Sequence, residues 1–186
     1  PALAGEVAGQ SVSGIRRRAK YLLIDLERGS LILHLGMSGS LRVLPTDAPL
    51  VDHDHVDILL DSGFLLRFND PRRFGSLLWT NADPLAHPLL RRLAPEPFDA
   101  AFGADYLYRA SRSRRVAIKQ FIMNSHVVVG VGNIYASEAL FRARIHPRRI
   151  AGRLSREQLK RLVRGIKAVL TTAIRAGGTT LRDYVG

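Results

Sequence analysis

The hydrophobic pattern of this chain changes once, near its middle, from short apolar runs to helical spacing. Up to about Thr80 the apolar residues fall in short runs, "QSVSGIRRRA", "YLLIDLE", "SLILHLG", "SLRVL", "HVDILLD", "FLLRFND" and "GSLLWT", separated by Gly, Pro, Asp and Ser turns. "DSG" between the fifth and sixth runs is a hairpin signal. After "TNADPLAHPLLRRLAPEPF", which reads as a helix closed by a proline-rich linker, helical spacing takes over at roughly 104–110, 114–124, 133–143 and 155–176. The pattern predicts an α+β protein: an antiparallel sandwich or barrel-like sheet over 1–95, then an all-helical domain over 105–186. The boundary is expected between about Leu93 and Asp105. No internal repeat or low-complexity tract interrupts it.

The last helix is the most sharply defined. Ser155 with Gln158 forms a capping-box pattern, and Leu159, Leu162, Val163, Ile166, Val169, Leu170 and Ile174 fall on one stripe. Gly177-Gly178 supplies a stop. The opposite face carries Arg156, Lys160, Arg164 and Lys167, and the preceding link "RARIHPRRIAGRLS" adds more cations.

Charge follows the same division. Residues 1–110 hold 12 Lys and Arg against 13 Asp and Glu, whereas residues 111–186 hold 16 against 3, so the net charge of +12 arises wholly in the second half. Basic surface of that density attracts a polyanion, and arginine's planar fork suits phosphate oxygens; a basic face kept for solubility is the plainer alternative. With 186 residues, 46% of them hydrophobic, the chain can bury a real core. No apolar run is long enough to cross a bilayer and no signal-peptide pattern opens the chain, so a cytosolic protein is expected. The absence of cysteine excludes disulfides and thiolate zinc sites within these residues.

"VVVGVGNIYASEALF" places Gly130 and Gly132 immediately before a predicted helix beginning at Asn133. Glycine has the most backbone freedom to lose on folding, so a pair here points to a special backbone shape or a close approach. A helix start offers unpaired N–H groups and partial positive charge, and glycines before it let a phosphate reach the main chain. Asn133 can cap the helix or donate its amide to that phosphate. A plain turn with an ordinary Asn cap is the alternative; the surrounding charge favours phosphate.

"RRRAKYLL", "HLGMSGSLR", "HDHVD", "FNDPRRFG", "AIK" and "VVGVGNIYASEALF…IHP", in that order, closely resemble the formamidopyrimidine-DNA glycosylases of bacterial base-excision repair. The resemblance runs from about Pro1 to the end. It implies an N-terminal β-sandwich joined to a helix–two-turn–helix domain, with a C-terminal zinc finger in full-length members. It also implies removal of oxidised purines, 8-oxoguanine and formamidopyrimidines, from duplex DNA, with lyase activity at abasic sites. A monomeric, cytoplasmic, nucleoid-associated protein whose partner is duplex DNA with a damaged base or abasic site would follow.

The resemblance assigns roles residue by residue. An enzyme acting on a base in a duplex extrudes the nucleotide, and an apolar or flat wedge with a cation fills the gap. Met37, Arg72 and Phe74 match the family's void-filling triad; taken alone, Met37 and Phe74 would be core residues and Arg72 would form an ion pair with Asp70. Lys20 matches a proton donor in β-elimination, although a basic run at a strand entry is otherwise a solvated flank. His34, His53, Arg114 and Lys119 match positions that approach phosphates or the lesion, and Gly132 and Asn133 match the phosphate-binding turn. In "HDHVD", His53 and His55 would share one strand face, but no third ligand is evident, so no metal is expected there.

Departures from the pattern matter too. The family opens with a proline whose amine attacks the sugar C1′, followed at once by glutamate. Here Ala2 follows Pro1, so Pro1 is not expected to be the nucleophile; the chain is expected to bind DNA but to lack that group. The lesion-capping loop and the four-cysteine zinc finger would lie beyond Gly186, so no cofactor is expected in this chain. Two other readings share parts of the pattern: an endonuclease VIII-type glycosylase for oxidised pyrimidines, and a non-enzymatic helix–two-turn–helix module such as small-subunit ribosomal proteins use. Met37, Arg72 and Phe74 favour the purine branch, and the β-rich half with "DPRRFG" argues against the ribosomal type.

Overall fold

A computed structural model describes residues 2–177. Pro1 and Gly178, both singled out in the sequence, lie outside the described residues. The chain divides into two compact units, residues 1–91 and 92–186. The division falls just before Leu93, because the segment after it is tied into the second unit. There Ala94 N–H donates to Ser125 O at 2.9 Å and Val129 N–H to Pro95 O at 3.2 Å.

The first unit contains a short helix α1 (Ala2–Val7) and seven strands: β1 (Val12–Arg18), β2 (Tyr21–Leu26), β3 (Gly29–His34), β4 (Ser40–Pro45), β5 (Asp54–Leu59), β6 (Phe64–Asn69) and β7 (Ser76–Thr80). They form two antiparallel sheets, ordered β1-β2-β3-β7 and β4-β6-β5. Ile24, Leu26 and Leu31 from the first sheet pack with Ile58 and Leu66 from the second and with Leu3 and Val7 of α1. An apolar cavity of about 530 Å³ opens between α1 and the two sheets. The β5–β6 hairpin turns at Gly63, as "DSG" predicts, with Leu60 N–H donating to Phe64 O.

One element is unforeseen and one expectation changes here. Helix α1 carries only Leu3 and Val7 as apolar anchors, one turn apart, too short a run for a period to be read. The helix expected after Thr80 is a single 3₁₀ turn, Pro84–Ala86, capped by the Asp83 carboxylate accepting from Leu85 N–H. Pro88 ends it, holding His87 at ψ 141, extended as a residue before proline must be.

The second unit contains α2 (Ala104–Ser111), α3 (Ile118–Met123), α4 (Asn133–Ala143) and α5 (Arg156–Arg175). Helix α5 has the predicted capping box. Six residues of its predicted stripe are buried, but Ile174 is 68% exposed and stands off the core. The apolar core joins all four helices through residues such as Leu107, Ile122, Leu140 and Ile166. Helix α3 begins four residues later than its spacing predicts. Residues 114–117 run beside residues 149–152, with an Ala117–Ile150 bridge, Ala151 N–H donating to Val116 O and Ile118 N–H donating to Arg149 O.

Candidate nucleic-acid interface

In the first unit, the hairpin between β1 and β2 turns on Ala19 and Lys20. Ala19 takes φ 55 and is buried, which leaves Lys20 exposed at the tip. His34 ends β3 opposite Tyr21, and the two rings pack at 4.8 Å. Its Nδ1 accepts the Gly36 N–H at 3.0 Å, so the neutral ring carries its proton on Nε2. Burial first, and the charge of Lys20 second, push the His34 pKa down and hold the ring neutral.

The loop after β3 carries Met37 and the loop after β6 carries Arg72 and Phe74. Met37 is 72% exposed and Phe74 57%, so neither is a core residue. The Arg72 guanidinium lies 4.9 Å from the Phe74 ring centroid. It does not pair with the Asp70 carboxylate; only its backbone N–H reaches Asp70, at 3.4 Å. The two loops meet main chain to main chain. Gly36 has φ 67, and a Cβ there would lie 2.6 Å from the Phe74 carbonyl carbon, so position 36 admits only glycine. At Gly75 a Cβ would strike the Phe68 ring at 2.5 Å and His34 O at 2.8 Å.

Asp70 sits where these loops join and is 1% exposed. Its Oδ1 accepts from Ser38 Oγ at 2.9 Å and its Oδ2 from Gly75 N–H at 2.7 Å. The Gly75 N–H above all holds the Asp70 carboxyl below the usual carboxylate range, with Ser38 adding to it. "HDHVD" docks on the same residue: Asp70 N–H donates to His53 O at 3.0 Å, and His55 Nε2 lies 2.9 Å from Asp70 O. His53 precedes β5 at φ 71 and His55 lies at a register shift, so the two rings do not share a regular strand face. Among the described residues no three His, Asp or Glu side chains are grouped to hold a metal ion.

In the second unit, the run Val127–Val129 is buried core, not strand, and Val131 is buried on the far side of Gly130. Gly130 has φ 79, a backbone that needs glycine; Gly132 has φ −88 and ψ −178, which any residue adopts. Gly132 is the N-cap of α4, and no side chain caps the helix. Asn133 is its first helical residue and is exposed, so it does not serve as the cap. The first turn of α4 therefore presents main-chain N–H groups beside an outward amide.

Lys119 lies in the first turn of α3, half-buried, with its N–H donating to Pro147 O. Arg114 is exposed on the segment before α3. With Arg115 and Arg153 it lines an open pocket of about 410 Å³. The three guanidinium groups make no hydrogen bond or ion pair among the described residues. Arg112, by contrast, is committed to structure, stacked 4.0 Å from the Tyr108 ring and bonded to Leu154 O at 2.9 Å. The sequence offers Asp70 only as an ion-pair partner for Arg72, and nothing in it singles out Ser38, Arg115 or Arg153. An acid between Asn69 and Pro71, immediately after β6, was the available signal for Asp70.

Known proteins match this arrangement across nearly the whole chain. Residues 1–77 match the formamidopyrimidine-DNA glycosylase N-terminal domain and residues 93–185 the H2TH domain of the same enzymes. A formamidopyrimidine-DNA glycosylase from Thioalkalivibrio sulfidiphilus is 62% identical over 98% of this chain and 68% of its own length. The structure of Lactococcus lactis formamidopyrimidine-DNA glycosylase bound non-covalently to DNA with an abasic site superposes with a TM-score of 0.91. It is 31% identical, over 97% of this chain and 69% of that one. A MutM structure in complex with DNA containing carbocyclic 8-oxoguanine gives a TM-score of 0.89 at 33% identity, over 97% and 68% of the two chains. The chain belongs to the formamidopyrimidine-DNA glycosylase family, and it spans about two-thirds of the length of these relatives.

Proposed function

We propose that this chain recognises damaged duplex DNA as part of a base-excision-repair DNA glycosylase and abasic-site lyase acting on oxidised purines. The observation that carries the proposal is a pair of exposed apolar side chains, Met37 and Phe74, on two loops fastened to each other, with the Arg72 cation stacked on one of them. Exposed large apolar groups on rigid loops suit insertion into a base stack; the cation suits the unpaired base opposite the gap. The open first turn of α4 with Asn133, and Lys119 and Arg114 nearby in sequence, supply contacts to backbone phosphates. His34 donates from Nε2 and His53 stands beside the Asp70 junction, both toward DNA. Lys20, exposed at its hairpin tip, is the proton donor in β-elimination. The site is read as working without a cofactor, in a cytoplasmic, nucleoid-associated monomer.

The attacking amine is not assigned to Pro1, since Ala2 stands where the family's glutamate follows the proline. Excision of 8-oxoguanine by a polypeptide of just these 186 residues is accordingly expected to be negligible. Borohydride reduces a protein–sugar imine to a stable adduct, and so tests the assignment. No adduct is expected on an intact 8-oxoguanine duplex, and at most a faint one, through Lys20, on abasic DNA. A strong adduct on the lesion duplex that disappears when Pro1 is acetylated would overturn it.

A further inference from the structure

Met37 and Phe74 are both largely exposed, so their relative position depends on what ties the loops together. One buried side chain does so from both sides. Asp70 bonds Ser38, the neighbour of Met37, through one oxygen, and Gly75, the neighbour of Phe74, through the other. The main-chain contact at Gly36 leaves no slack for the loops to slide independently. His55 and the His53 carbonyl hold the Asp70 backbone from a third segment.

We infer that Asp70 is a positioning residue for the wedge, fastening the Met37 loop and the Arg72–Phe74 loop through its two carboxylate oxygens so that they enter the duplex as one body. The inference rests on the proposed wedge role of Met37, Arg72 and Phe74. Its consequence is that damage recognition depends on the Ser38–Asp70–Gly75 bridge, whereas attachment to undamaged backbone does not. A wedge whose parts move independently inserts in only a fraction of encounters, because only one relative position fills the gap.

The substitutions separate this from a merely structural role. Ser38→Ala cuts one side of the bridge at an exposed residue. Asp70→Ala cuts both sides. Asp70→Asn retains an oxygen for the Gly75 N–H and turns its NH₂ toward the Ser38 hydroxyl, which can accept, so the bridge survives without the charge. The measurement is affinity for a duplex with one abasic site, divided by affinity for the same duplex undamaged, with 2-aminopurine opposite the gap reporting insertion by its fluorescence. Ser38→Ala and Asp70→Ala are expected to lower the ratio by about tenfold, the scale on which a hydrogen bond to an ionised group acts. Undamaged-duplex affinity should stay within about twofold, because phosphate contacts carry no lesion information. Asp70→Asn should restore most of the ratio.

Met37→Ala and Phe74→Ala should be non-additive in the parent chain and close to additive in the Ser38→Ala background. Should Asp70→Ala fail to fold, Ser38→Ala alone decides. A folded Ser38→Ala chain with the parent ratio and the parent non-additivity would overturn the positioning role while leaving the wedge intact. If Met37→Ala and Phe74→Ala leave the ratio unchanged, the wedge reading falls and the positioning role falls with it.

Discussion

At Asn133 the structure separates two roles that the sequence leaves joined. Its side chain is exposed on the first helical residue of α4, and the cap position belongs to Gly132. Asn133→Ala is therefore expected to weaken binding to damaged and undamaged duplexes alike, by about 0.5–1.5 kcal/mol for a lost neutral hydrogen bond. Its melting temperature should barely move. A lowered melting temperature with unchanged affinity would make Asn133 a structural residue only. The neighbouring glycines divide in the same manner. Gly130→Ala should destabilise the chain by roughly 1–2 kcal/mol, because φ 79 places a Cβ against the backbone even though the surrounding space is open. Gly132→Ala, at an ordinary φ, should be nearly neutral in a thermal melt. The sequence raised one question about a glycine pair; only the first glycine is required by backbone conformation.

At the scale of elements, what could be read in the sequence was whatever announces itself locally. The strands are short apolar runs closed by turn residues, and α5 carries a capping box and a stripe over about four turns, so both were legible. Ser155→Ala should cost about 1 kcal/mol of stability, as loss of a reciprocal N-cap does, measurable as a shifted denaturation midpoint without a change in its slope. Elements decided by partners distant in sequence were not legible. Arg114–Ala117 has helical spacing but stays outside α3 because residues 149–152 supply its hydrogen bonds from over thirty residues away. Helix α1 exists because Leu3 and Val7 find Ile24 and Leu31. The site divides similarly. Its exposed members, Met37, Arg72, Phe74 and Asn133, could be named from a resemblance in the residues themselves. Asp70 is only an acid in a loop until the fold brings Ser38 and Gly75 to its two oxygens.

The whole molecule responds to two solution variables in predictable senses. Asp25 is held below the usual carboxylate range by the Arg16 guanidinium and Asp57 by Arg67, while Asp54 and Asp70 are held there first by the main-chain N–H groups of Val51 and Gly75. A group depressed in the folded state stabilises it fully above its unfolded pKa, and that stabilisation is lost as pH falls through the folded value. Burial depresses His34 in the same direction, so its contribution begins to fall below about 6.5. The melting temperature is therefore expected to decline gently below that point and steeply below about 4, where unfolded carboxylates titrate. A flat profile to acid pH would contradict the buried network around Arg67, whose guanidinium bonds Asp57 at 2.8 Å through both Nε and Nη2.

Salt acts on binding. The basic excess is confined to residues 111–186, so attachment to DNA should be carried by neutralised phosphates, each steepening the fall of log K with log salt by about 0.9. The most direct measurement is a pair of titrations of this chain, from about 50 to about 200 mM salt, against one duplex with an abasic site and the same duplex undamaged. Both affinities are predicted to fall with the same steep slope, and the abasic duplex to bind more tightly at every salt concentration. Equal affinities throughout, or binding indifferent to salt, would contradict the assignment of this chain to recognition of damaged DNA.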